Sequence, residues 1–202
     1  MSTYGIMQTR IATEIVRDNL SNEIKSAIQS AIKHYETTRF WFNEVTATAL
    51  TTPNQDRYPL PTNLIELDSL NITINGNDDP LFKRDWSYIN SISVSSNPGR
   101  PTDFAIYRDE LYLYPSSDAV YTLTLAYVKS LSTLSLDADT NSWMTDAEIL
   151  IRSRSKWNLF TNLIRDYEAA DRMRDQEKTE LDRLSGLTAR KISSGRLRPT
   201  QF

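Results

Sequence analysis

The chain has 202 residues, with 23 basic and 26 acidic side chains and a net charge of −3, a balance that leaves no electrostatic footprint for avid nucleic-acid binding. It contains no cysteine, which excludes disulfides, thiolate zinc sites, iron–sulfur clusters and cysteine nucleophiles. No stretch reaches the ~18 uninterrupted apolar residues of a membrane span, and the opening MSTYGIMQTRIATEIVRD lacks the basic and apolar regions of a signal peptide.

Residues 6 to 19 place Met7, Ile11 and Ile15 four apart, with Ala12, Val16 and Leu20 on the adjoining row, which predicts one amphipathic helix. Ser21 is positioned as an N-cap, and Ile24, Ala27, Ile28, Ala31, Ile32 and Tyr35 then form the stripe of a second helix, packed antiparallel to the first. The run RFWFNEVTATALTTPNQDRYPLP, residues 39 to 61, joins helical to strand periodicity. Phe40, Trp41 and Phe42 carry too much apolar surface for a solvated connector, so with Tyr58 they are expected to form a structural junction between a helical and a β layer.

From Glu44 the pattern alternates. Val45, Ala47 and Ala49 interleave with threonines, and Ile65 and Leu67 are out of phase with Leu70, Ile72 and Ile74, which predicts a bulge near Asp68. Asn75-Gly76 signals a turn. Residues 83 to 91 form one or two helical turns with Trp86 facing inward, and the Pro- and Gly-containing residues 95 to 101 read as an exposed loop. Phe104 and Ile106, then Leu111 and Leu113, then Tyr121 to Tyr127 alternate as three antiparallel strands of a meander.

Helical spacing returns after Ser142, with Thr145 as N-cap, Glu148 completing a capping box, and Ile149, Leu150, Trp157, Phe160, Ile164 and Tyr167 along one stripe. A last helix, about Glu168 to Leu187, has a thin seam of Ala169, Ala170, Met173, Leu181 and Leu184, suited to packing at the edge of a bundle or against a neighbouring subunit, and its many charges read as a solvated face or as a surface that meets other copies or lines an aqueous channel. Residues 188 to 202 carry Arg190, Lys191, Arg196 and Arg198 and no acid, and read as a flexible basic tail. The fold class expected is therefore α+β: a helical bundle from terminal helix pairs (1–43 and 130–187), an inserted antiparallel β region (44–129) and an extended tail (188–202).

Asp137, Asp139, Asn141 and Glu148 match positions one, three, five and twelve of an EF-hand loop, but Ser142 stands where its glycine is needed. Turn-forming and capping roles account for all four, so no metal or cofactor is expected. His34, the one histidine, is placed near a helix C-terminus, where a cation is favoured, and no local motif supplies a nucleophile beside it. The phosphate-loop, dinucleotide, zinc-protease and esterase signatures are absent.

Taken in order, several motifs resemble the head-to-tail adaptor (connector) proteins of tailed bacteriophages, particularly the short-tailed type. They are Ala27-Ile28-Gln29-Ser30-Ala31-Ile32, Arg39-Phe40-Trp41-Phe42-Asn43-Glu44, Tyr58-Pro59-Leu60-Pro61, Gly99-Arg100-Pro101 with Phe104-Ala105-Ile106, Leu111-Tyr112-Leu113-Tyr114-Pro115, Tyr121 to Tyr127, and Thr140-Asn141-Ser142-Trp143. The resemblance implies a non-enzymatic virion structural protein of the neck, assembled in the host cytoplasm. It implies a homo-oligomeric ring, typically of twelve copies, under the portal protein, meeting a tail or nozzle protein, with double-stranded DNA passing through the channel without specific binding and no membrane partner. Carried onto this chain, Arg190, Lys191, Arg196, Leu197 and Arg198 become portal-binding candidates. The alternatives are another neck or tail component, a tail-associated cell-wall-degrading enzyme, or a DNA-binding module using the basic tail.

Overall fold

The computed structural model describes residues 2–17, 19–93 and 97–193. The chain divides into two compact units, Met1–Asn43 with Ser130–Phe202, which is helical, and Glu44–Lys129, which is built on sheets, so the fold is mixed α+β.

In the helical unit, α1 (Tyr4–Ile15) is capped by Thr3, whose hydroxyl accepts from the Ile6 N–H, and buries Tyr4, Met7, Ile11 and Ile15. It stops earlier than the spacing predicts. Val16 adopts φ 53° and is 84% exposed, ending the helix in a left-handed residue instead of extending its apolar row. Helix α2 (Ser21–Tyr35) buries Ile24, Ala27, Ile28, Ala31 and Tyr35, with Ile32 partly buried against the same core, as its stripe predicts. Phe40, Leu134, Trp143, Met144, Leu150, Ile151, Leu159 and Leu184 complete that core.

The expected capping box does not form. Thr145 ends a short helix, α4 (Ser142–Thr145), whose cap is Asn141, and α5 (Glu148–Leu159) begins after Ala147 without a side-chain cap. Two adjacent candidate caps compete here, and Asn141 wins because its amide is also anchored to the Ser132 carbonyl at 2.7 Å. The long stripe expected through Tyr167 is broken as well. A π-helical turn (Phe160–Ile164) changes the phase, Arg165 turns left-handed at φ 61°, and Asp166 Oδ1 accepts from the Ala169 N–H to start α6 (Tyr167–Ser193). Tyr167 is consequently 64% exposed.

The sheet unit has two four-stranded sheets around one core and a helix on an outer face. The first sheet runs β1 (Glu44–Leu50), β8 (Thr122–Lys129), β3 (Leu64–Ile74), β4 (Asn77–Pro80), all antiparallel. The second runs β2 (Arg57–Pro59), β7 (Glu110–Tyr114), β6 (Asp103–Tyr107), β5 (Phe82–Lys83), with β5 parallel to β6. Leu70, Ile72, Leu123, Leu125 and Tyr127 from the first meet Tyr58, Phe104, Leu111 and Leu113 from the second. Helix α3 (Trp86–Ser93) packs Ile89 on Ala105 and Tyr112, on the other face of the second sheet.

The expected meander is corrected. The first two of its strands do form the β6–β7 hairpin, but β8 crosses to the other sheet and lies between β1 and β3. Alternation shows that a strand is half-buried and carries no information about which neighbour it pairs with. The bulge does fall at Asp68, where the register jumps between Leu67 and Ser69, and a second shift falls at Ile65. Asn75-Gly76 makes a two-residue turn with φ 48° and 81°, the left-handed pair that such a tight hairpin requires. The β6–β7 turn needs the same geometry and places Arg108 and Asp109 at φ 51° and 62°.

Candidate interaction surfaces

The turn after α2 is organised by a buried amide. Asn43 Nδ2 donates to the Thr38 carbonyl at 2.9 Å while its Oδ1 accepts from the Phe40 N–H at 2.8 Å. This closure drives Phe40 into the helical core, stacked on Phe42 at 5.1 Å and edge-on to Trp143 at 5.9 Å, while Trp41 lies edge-on to Phe42. Trp41 is only half-buried. Its backbone N–H donates to Thr188 Oγ1 at 3.3 Å, and Lys191 Nζ lies 4.4 Å from the centre of its ring. Tyr58, the fourth junction candidate, sits in the sheet core, where its hydroxyl accepts from the Thr52 N–H at 3.0 Å and stands 3.0 Å from the Gln55 carbonyl, holding the turn that precedes β2.

Thr188 and Lys191 are therefore parts of a packed helix and not of an extended tail. Helix α6 continues through Ser193, with Thr188 buried, its hydroxyl donating to the Leu184 carbonyl at 2.9 Å and accepting from the Trp41 backbone. Arg190 and Lys191 lie exposed in the last turn, where cations favour the helix dipole. Arg196, Leu197 and Arg198 lie outside the described residues.

A polar cluster that the sequence reading missed lies beneath a cleft of about 700 Å³. Glu177, 6% exposed, accepts from the Tyr35 hydroxyl and from Arg154 Nη1 at 3.2 Å, and the Arg154 guanidinium covers the Trp157 ring at 4.3 Å. Burial first, then the hydrogen bond to Glu177, pushes the Tyr35 phenol far above its ordinary pKa. In sequence Glu177 is one of many α6 acids, and only the packing of α5 against α6 distinguishes it. A second network joins α1 to α5. Lys156, 8% exposed, meets Glu14 at 2.6 Å, Arg152 reaches both Glu14 and Glu148 at 3.3 Å, and Glu148 also binds Arg10.

The EF-hand-like acids are put to other uses. Asp139 Oδ2 accepts from the backbone N–H groups of Leu136 at 2.7 Å and Ser135 at 2.8 Å, and these two donors hold its carboxyl below the usual carboxylate range. Glu148 is committed to arginines. The loop is also pinned to α1: Gly5 donates to the Asp137 carbonyl at 2.9 Å, and a β-carbon on Gly5 would stand 2.8 Å from that of Asp137, which only glycine avoids. Among the described residues no cluster of three metal-ligating side chains occurs. His34 is exposed, edge-on to Tyr35 at 4.8 Å.

On the outer face of the second sheet, Arg57, Tyr112, Trp86, Tyr107 and Arg108 form one continuous stack. The Trp86 ring is 4.1 Å from Tyr112 and 5.0 Å from Tyr107, and each tyrosine carries an arginine at 5.3 Å. Tyr107 and, on α3, Tyr88 remain exposed at 39% and 53%. Trp, Tyr and Arg are the residue types that dominate protein contact surfaces. No helix among the described residues is long and apolar enough to cross a membrane.

The geometry thus contains polar clusters, an aromatic and guanidinium stack and a charged helix, and no assembled catalytic constellation among the described residues. Compared with known proteins, the chain matches the family model of the SU10 adaptor protein across residues 2–200. No curated protein matches it.

Proposed function

The chain belongs to the SU10 adaptor protein family, a family of phage head-to-tail adaptors, and from that premise we propose that it forms a ring beneath the portal, connects it to the tail and lets DNA pass through its channel. The family is one of structural adaptors and not a class of enzymes. The observation that carries the reading is the extent of the match, residues 2–200, which takes in both units. A ring of identical copies needs a heterologous contact that closes on itself, and twelve copies is the number the family resemblance implies. The location is the virion neck, after assembly in the host cytoplasm.

In this reading the basic end of the chain meets the portal. Arg190 and Lys191 present two cations at the end of α6, and Arg196, Leu197 and Arg198 extend the same composition beyond the described residues. Phe40, Trp41 and Phe42 act within the core of the helical unit and Tyr58 within that of the sheet unit, on either side of the point where the chain passes from one to the other. The balance of 23 basic against 26 acidic residues suits a channel that passes DNA without holding it, since every phosphate neutralised by a cation adds salt-dependent affinity. Mixing the purified chain with its portal and imaging by electron microscopy tests the proposal. Rings seated on the portal are expected, and a chain that neither binds the portal nor self-assembles on it refutes the reading. Reversing Arg190 and Lys191 to glutamate should weaken portal binding, while unchanged binding removes those two residues from the contact.

A further inference from the structure

Each sheet has two edge strands, and three of the four are closed to further pairing. In the second sheet β2 has three residues and β5 two, too few to hold another strand. In the first sheet β4 has four, Asn77–Pro80. The Leu81 N–H donates to the Leu70 carbonyl at 2.9 Å, and alternation from that pair turns Asp79 and Asn77 toward β3 and leaves Asp78 and Pro80 facing outward. An acid and a residue without an N–H therefore guard that edge. Strand β1 differs: it has seven residues, Glu44–Leu50, pairs with β8 alone among the described residues, and carries no proline and no charge from Val45 to Leu50.

Which of its backbone groups are open follows from one bond. The Thr51 N–H donates to the Tyr121 carbonyl at 2.9 Å, and these two residues continue the β1–β8 register. Bonded and non-bonded positions alternate in an antiparallel pair, so Ala49, Ala47 and Val45 bond to β8, while Thr46, Thr48 and Leu50 turn their N–H and carbonyl groups away from it. All three are exposed, Leu50 at 64%. The side chains alternate as well: Val45 and Ala47 pack against the sheet core, and Thr46 and Thr48 lie on the opposite face. A strand that fits this edge is uncharged at its centre, apolar on one face and hydroxyl-bearing on the other. β1 itself has that pattern.

We propose that the occupant of this edge is β1 of a second copy of the chain, antiparallel about a two-fold axis at Ala47. A register centred there pairs all seven residues and sets open group against open group: Thr46 of each copy bonds Thr48 of the other, and Glu44 lies opposite Leu50. A slip of one residue would set open groups against positions already bonded to β8. The two Glu44 residues stand at opposite ends of the contact, about 20 Å apart at the rise of an antiparallel strand, so like charges do not meet. Threonines facing each other across strands are favourable neighbours. The contact joins two four-stranded sheets into one. It is isologous and closes as a pair, so it is separate from the contact that a ring requires, and the inference does not rest on the ring reading.

The test uses the free full-length chain, without portal, in sedimentation over a range of concentrations. A concentration-dependent dimer is expected. Thr48→Pro removes an outward N–H and no bond to β8, and Thr46→Lys puts a cation beside the axis in both copies; each should weaken the dimer roughly tenfold or more while circular dichroism and melting stay near wild type. Because the chain has no cysteine, crosslinking reads the register. In Ala47→Cys the two thiols meet in a non-bonded pair with α-carbons about 4.5 Å apart, within the span of a disulfide, and mild oxidation should join the copies. Ala49→Cys faces Val45 of the second copy and should stay largely uncoupled. A free chain that is monomeric at every concentration overturns the inference, and so does a dimer that both β1 variants leave intact. Crosslinking at position 49 and not at 47 overturns the register. If the free chain is monomeric and Thr48→Pro instead weakens binding to a portal or tail protein, the edge serves another chain and self-pairing is overturned. None of these outcomes decides the ring reading, which is tested on the portal.

Discussion

The helical unit and the sheet unit solve the burial of polar groups in different ways. The helical unit buries charge: Lys156 and Glu177 are within it, at 8% and 6% exposure, each held by a partner of opposite sign. The sheet unit buries no charged residue among those described, and its buried polar side chains are hydroxyls such as Thr51, which donates to the Ala119 carbonyl and accepts from the Tyr121 N–H. Its tight hairpin turns hold Asn75, Arg108 and Asp109 in the left-handed region at φ 48°, 51° and 62°, whereas in the helical unit Val16 and Arg165 adopt it only at helix ends. Helices satisfy their own backbone and leave long side chains to interact between elements, whereas antiparallel strands spend their specificity on register and turn geometry. The helical unit should therefore be sensitive to the loss of single side chains, and the sheet unit to changes at its turns.

The largest effect that would sharpen this contrast is expected at Phe40. It is fully buried among Phe42 and Trp143, so Phe40→Ala should cost ~3–5 kcal/mol. Hydrogen exchange should show the loss in α2, α5 and α6. Equal loss of protection in β3 and β8 would break the division into separately held cores. Half-buried Trp41 should matter less, with Trp41→Ala costing about 1–2 kcal/mol.

Next in size is Glu177→Ala, which leaves Arg154 partly buried without its carboxylate and should destabilise by ~3 kcal/mol, measured by chemical denaturation. A value near zero would mean that buried charge is not what holds α5 to α6. The same cluster predicts a pH dependence. The Tyr35 phenol has a folded pKa above its unfolded value, so its stabilisation is complete below the ordinary tyrosine range and is lost as pH rises through and beyond that range. Tyr35→Phe should flatten this alkaline loss while lowering stability near neutrality, and an unchanged alkaline limb would point to another group.

The smallest effect is expected in the sheet unit. Asp109→Gly relieves a left-handed non-glycine residue at φ 62° and should stabilise the β6–β7 hairpin by about 0.5–1 kcal/mol. A loss of stability would show that the turn is held by the Asp109 side chain and not limited by its backbone.

Local features were legible in sequence. The stripe of α2, the bulge at Asp68 and the turn at Asn75-Gly76 each depend on spacing or on a residue's own conformational preference. The partners of β8, the choice of Asn141 over Thr145 as a cap and the continuation of α6 past Leu187 were not, because each depends on residues far away in the chain: β1 and β3, Ser132, and Trp41. The α6 charges were visible as a mixture of favourable and like pairs, but which would be satisfied was not. Glu168 with Arg172 does pair, while Lys178 makes no pair with Asp182 among the described residues.

By itself the sequence determined the element types, the absence of cysteine chemistry and, through the order of its motifs, the adaptor family. These follow from hydrophobic period, composition and local turn chemistry, which are written in consecutive residues. Only the tertiary structure decided that Glu177 is the buried acid among the many on α6 and that Thr188 belongs to a helix. Burial and ion pairing are set by what packs against a helix from elsewhere in the chain, and no local pattern records that neighbour.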